Sequence, residues 1–201
     1  MLIVPELNAV FILPPRTGSD TLCVELMKAH PNAFLLYRHM EADGLPVGYE
    51  AWRKVGFVRH PVARLWSLFK YCSIIADTGI QEALAPQVAR VAASVVGKSF
   101  DQWLVSNEEM FVPQDSGIPL FAQLHKTPET RKSQREYLRP DLGTIVLKFH
   151  DLPKHLEAWG LDPKRRNGHT PQPEVPKITK KALKHIRKYF EWDLEQDCAV
   201  L

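Results

Sequence analysis

The stretch that most constrains this chain runs from Val10 to Leu22. Four apolar residues of strand character, Val10 to Leu13, are followed by Pro14 and Pro15. A turn of small residues carrying one arginine comes next (Arg16-Thr17-Gly18-Ser19-Asp20-Thr21), and an amphipathic segment starts at Leu22. This order predicts a strand, a loop and a helix. Small residues let the backbone pass close to a ligand. The N–H groups of a first helical turn, at the positive end of the helix dipole, favour an anion. The loop therefore reads as an anion cradle. Its single glycine, Gly18, satisfies neither G-x-x-x-x-G-K-[ST] nor G-x-G-x-x-G, so the Walker loop and the dinucleotide fingerprint are both excluded.

The 201 residues give room for one domain with a full core, and one domain spanning 1–201 is expected. Hydrophobic residues at 45% and charged residues at 24% lie near globular averages and argue against wholesale disorder. Lysine and arginine number 26 against 23 acidic residues, a mild excess that suits an anionic ligand without demanding nucleic acid. No apolar run reaches bilayer length, and Met1 to Glu6 is too short and too soon interrupted for a signal peptide. The expectation is a soluble, cytoplasmic protein without a membrane partner. Cys23, Cys72 and Cys198 are odd in number and far apart, so reduced thiols are expected rather than a disulfide or a metal site.

Beyond the loop, Leu22, Leu26 and Ala29 keep helical spacing up to Pro31. Ala33 to Tyr37 reads as a second strand that delivers Arg38, His39 and Glu41 to a strand end, where open α/β sheets collect ligands. Arg53 to Val58 reads as a third strand. After Arg59-His60, Pro61 opens a helix with Val62, Leu65, Phe69 and Cys72 as its apolar stripe, while Arg64 and Ser67 share the other side. Arg59, Arg64 and Ser67 are thus expected around one anion, or else in ordinary salt bridges.

The segment from Thr78 to Ser106 reads as helical, with Ser99 capping a short helix through Trp103 and Leu104. Gly117 to Pro140 is turn-rich and charged, a candidate acceptor-binding lid or a solvated insertion. Thr144 to Phe149 reads as a buried strand leading through His150-Asp151 into a helix with Leu156 and Trp159. Thr179 caps a last helix with Leu183, Ile186 and Phe190 as core and lysines around the rest. The expected fold is an α/β single domain with a central, mostly parallel sheet flanked by helices in three layers.

Two of these stretches carry a resemblance. P-R-T-G-S-x-T-L at residues 15–22 resembles the 5′-phosphosulfate loop of the sulfotransferases. F-V-R-H-P-V-A-R-L-W-S-L-F at residues 57–69 resembles the 3′-phosphate element of the membrane-type and bacterial members. They occur in the family's order. Looser likenesses fall at Glu108 to Gln114, at Lys148 to Leu152, where His150 replaces the usual glutamate, at the basic turn of Arg165 and Arg166, and at Tyr189 to Leu194.

The resemblance implies a P-loop-related fold and a co-substrate, 3′-phosphoadenosine 5′-phosphosulfate (PAPS). It implies that Arg16, Thr17, Gly18, Ser19, Asp20 and Thr21 bind the phosphosulfate, that Arg59 and Ser67 bind the 3′-phosphate, and that no metal takes part. Arg16 stands where the family places a catalytic cation. His39 is expected as the base for an acceptor hydroxyl or amine, with Glu41 in reserve. Asp20 departs from the family's serine or threonine, and its carboxylate would repel a phosphosulfate: either it points away or donor binding is weakened. Two further readings stand beside this one. A catalytically inactive nucleotide-binding relative would explain Asp20 and His150. A basic nucleic-acid-binding protein would use the last helix and the Lys164 to Arg166 turn but explains neither motif.

Overall fold

The computed structural model describes residues 1–77, 92–106, 129–164 and 175–196. In chain order its strands and α-helices are β1 (Leu2–Val4), β2 (Ala9–Ile12), α1 (Ser19–Ala29), β3 (Phe34–Leu35), β4 (Arg53–Val58), α2 (Pro61–Asp77), α3 (Phe100–Leu104), α4 (Gln134–Leu138), β5 (Ile145–Lys148), α5 (Leu152–Ala158), α6 (Lys180–Tyr189) and α7 (Glu191–Gln196). The chain divides into two compact units. Of the described residues, the first holds 1–60, 134–164 and 195–196, and the second holds 61–77, 92–106, 129–133 and 175–194.

The first unit is built on an open five-stranded mixed sheet in the order β3-β1-β2-β4-β5. β2, β4 and β5 pair in parallel, with Phe11 opposite Val55 and Val55 opposite Ile145. β1 is antiparallel to both β2 and β3. Four strands therefore share a direction, and one opposed strand is wedged among them. This corrects the mostly parallel sheet expected from sequence: two of the four pairings are antiparallel. The opening Leu-Ile-Val joins the sheet because a tight turn at Pro5–Leu7 ends in Asn8 at φ 45°, a left-handed conformation that asparagine tolerates, and folds β2 back on β1.

β1 and β2 are buried on both faces. On one face Leu2, Val4, Ala9, Phe11 and Phe57 pack with Leu22, Cys23 and Leu26 of α1 and with Leu152 and Leu156 of α5. On the other, Leu138 of α4 lies against Gly56, where an added Cβ would stand 2.2 Å from Leu138 Cδ2. Three expectations change. α1 begins at Ser19 rather than Leu22, with Glu25 buried and Ala29 exposed. The strand expected over Ala33 to Tyr37 contracts to Phe34–Leu35. β5 is an exposed edge strand, with Ile145 48% exposed, so a mostly apolar run ending in Lys148 marked a sheet edge rather than a buried strand.

In the second unit, Val62, Leu65, Leu68 and Cys72 of α2 pack with Phe100, Trp103, Leu104, Ala182, Ile186 and Phe190. α3 starts with a capping box between Ser99 and Gln102, and the Thr179 hydroxyl caps α6 through the Ala182 N–H. Leu183, expected in the core, is 37% exposed and Ala182 takes its place. Among the described residues no helix is long and apolar enough to cross a membrane.

Candidate functional site

The carboxyl ends of the co-directional strands of the first unit lead into one cluster. After β2, Thr17 is buried and its hydroxyl donates to the Pro14 carbonyl at 2.8 Å, closing the loop on itself. Gly18 follows at φ 80°, and the Leu22 N–H reaches its carbonyl at 3.0 Å as α1 begins. The N–H groups of Ser19, Asp20 and Thr21 thus lie ahead of the first intrahelical bond. Gly18 is required twice over. A Cβ there would meet Leu152 Cδ2 at 2.6 Å and Phe149 Cε2 at 3.0 Å, and the φ is one that side chains disfavour.

After β4 comes Arg59. Its Nη1 donates to the carbonyl of Arg16 at 3.1 Å, and its guanidinium lies 4.8 Å from the centre of the Phe149 ring, which follows β5. After β3 the chain turns through His39 at φ 63°. The ring Nδ1 lies 2.7 Å from the Leu13 carbonyl, at the end of β2. A carbonyl only accepts, so Nδ1 carries the proton and Nε2 is the basic nitrogen. The carboxylate of Asp20 pairs with Arg38. The pairing sets a guanidinium beside the carboxylate, and both groups remain about half exposed.

Arg16, Thr17, Gly18, Ser19, Asp20, Thr21, His39 and Arg59 therefore come together within the first unit. Ser67 stands on α2 in the second unit. Of the two roles expected for Arg64, an anion contact or an ordinary salt bridge, the second unit shows the salt bridge. Arg64 is fully buried there, with Nη2 on the Lys132 carbonyl at 2.8 Å, Nη1 3.4 Å from Glu129 and the Phe190 ring 5.8 Å away. Glu41, the reserve base, is buried at 5% exposure. His150 is half exposed and pairs with Asp151 at 3.2 Å. Hydrogen bonding from Lys154, and then the nearby His150, hold that carboxyl below its ordinary range. Burial pushes the Cys23 thiol up, which keeps it protonated and unreactive. The likenesses at Glu108 to Gln114 and at Arg165 and Arg166 lie outside the described residues, as do Cys198, residues 78–91 of the segment expected to be helical and residues 117–128 of the candidate lid.

Sequence reasoning missed Gln134. Its buried amide accepts from the Arg59 N–H at 2.9 Å and donates to the Arg59 carbonyl at 2.7 Å. A glutamine in a charged, turn-rich stretch gave no local signal of this.

Chemically, three guanidinium-bearing residues (Arg16, Arg38, Arg59), a helix N-terminus and one basic imidazole gather at the carboxyl edge of an open α/β sheet, the edge where such sheets hold ligands. This defines a class, an open α/β protein with a cationic strand-end loop. No protein-family model, no curated protein and no solved structure matches the chain.

Proposed function

We propose that the protein is a sulfotransferase that moves the sulfuryl group of PAPS to a hydroxyl or amine of an acceptor. The observation that carries this reading is the hydrogen bond from the Arg59 guanidinium to the Arg16 carbonyl. It joins two stretches 43 residues apart that the sequence matched separately to the two ends of one nucleotide. The two stretches follow β2 and β4, parallel neighbours in the sheet, so both lie at one strand-end edge.

In the proposed step the acceptor oxygen attacks sulfur, and the bond between sulfur and the bridging oxygen of the 5′-phosphate breaks. The acceptor proton passes to His39 Nε2, and 3′-phosphoadenosine 5′-phosphate leaves. The N–H groups of Ser19 to Thr21 and the Arg16 cation offset the charge that gathers on the departing phosphate, where preorganised donors are most effective. Arginine offers a fixed planar fork there, which favours charge stabilisation over proton donation. The role of Ser67 rests on the sequence resemblance alone.

Calorimetric titration with 3′-phosphoadenosine 5′-phosphate tests the site. Wild type binds, and Arg59→Ala weakens binding by about tenfold or more, the loss expected of a charge-assisted hydrogen bond. Incubation with sulfate-labelled PAPS and a cell extract tests the reaction. Binding without label transfer to any acceptor would favour the inactive relative.

A further inference from the structure

Arg59 is the first residue beyond β4, whose last pairing is Val58 with Lys148. At such a position the sheet ladder stops, and a strand end is free to fray. The Gln134 side chain takes over where β5 leaves off. Its Oε1 accepts from the Arg59 N–H at 2.9 Å and its Nε2 donates to the Arg59 carbonyl at 2.7 Å. A primary amide, unlike a trans peptide group, presents an N–H and its C=O side by side, so it can pair with both polar groups of one residue and extends the pairing by that residue. Gln134 is itself fully buried as the first residue of α4. The Arg59 backbone is thereby held from both polar groups, and so is the root of the guanidinium that reaches Arg16 and covers Phe149.

We infer that Gln134 is a positioning residue of the anion site: it orients Arg59 for the nucleotide phosphate through two main-chain hydrogen bonds. The inference rests on the proposed nucleotide site and adds a residue that neither motif contains. Glutamate at this position accepts but, when ionised, cannot donate, and it sets a carboxylate against the Arg59 carbonyl. Leucine does neither.

The test is titration of the full chain with 3′-phosphoadenosine 5′-phosphate in wild type, Arg59→Ala, Gln134→Leu and the double variant. Gln134→Leu is expected to weaken binding by roughly tenfold, as loss of an orienting outer residue does elsewhere. In the Arg59→Ala background the same change is expected to cost nothing further, because its effect travels through Arg59. A Gln134→Leu penalty that persists without Arg59, or no penalty at all beside a clear Arg59→Ala loss, overturns the positioning role and leaves the nucleotide site standing. Unchanged affinity in Arg59→Ala overturns the site and this inference together.

Gln134→Glu keeps the volume where leucine fails to fold. Its affinity relative to wild type should recover as pH is lowered from about 7 to about 4, through the ordinary glutamate range, as the protonated carboxyl regains a donor. A deficit independent of pH overturns the role.

Discussion

Arg16 and His39 both hold left-handed backbone, at φ 66° and 63°, although neither is glycine. Such a conformation costs on the order of 1–2 kcal/mol per residue and persists where the surroundings impose it, often beside a functional site. At His39 the imposing contact is visible in the 2.7 Å bond to the Leu13 carbonyl. Asparagine tolerates this backbone and its amide can donate to the same carbonyl, yet it has no basic nitrogen. His39→Asn is therefore expected to leave thermal stability and nucleotide affinity near wild type while label transfer falls by about a hundredfold, the usual worth of a general base. Full transfer in that variant would remove His39 from the chemistry.

At the scale of elements, the joint from β2 to α1 depends on Gly18, which sits against Leu152 and Phe149 at the start of α5. Gly18→Ala meets both a disfavoured φ and a filled space. Together these should cost about 2–4 kcal/mol, measured as a fall in urea midpoint at constant slope.

α6 presents the opposite case, an element with room for improvement. Lys180 and Lys181 occupy its first turn, at the positive end of the helix dipole, and its last turn carries Arg187 and Lys188. Lys181→Glu should raise stability by a few tenths to about 1 kcal/mol, and by less at high salt. Much at this scale was legible in the sequence. Pro61, Ser99 and Thr179 act within a few residues of themselves, and so the opening of α2, the cap of α3 and the cap of α6 fell where expected. What depends on distant partners did not show: the wedging of β1 between β2 and β3, the exposure of β5, the inward turn of Arg64 and the bracket made by Gln134. Each of these is decided by a residue as many as 75 positions away or by a strand's place in the sheet, which composition and spacing do not encode.

For the whole molecule, acid stability should bear the mark of His185. Its ring Nε2 donates to the Thr130 carbonyl, and Arg131, Lys188 and Tyr189 stand close by. Burial, first, and the nearby cations lower its pKa from the ordinary 6.5 against the raising effect of the carbonyl. Well above 6.5 the folded and unfolded chains both hold this histidine neutral, and it adds no pH dependence. Below 6.5 the unfolded chain takes up a proton that the folded chain resists, so stability falls until the pH passes below the folded pKa. His185→Gln, which can still donate to Thr130, should flatten that part of the curve of melting temperature against pH. An identical curve in the variant would show that His185 does not set it.

The order of the chain has one more consequence. β4 is complete at Val58, yet its partner β5 begins at Ile145 and the Gln134 bracket of Arg59 also comes late. At ordinary translation rates roughly 4–17 s separate the synthesis of the two strands. Through that interval a nascent chain would carry β4 with one edge open, the kind of unpaired strand that invites pairing with the wrong partner.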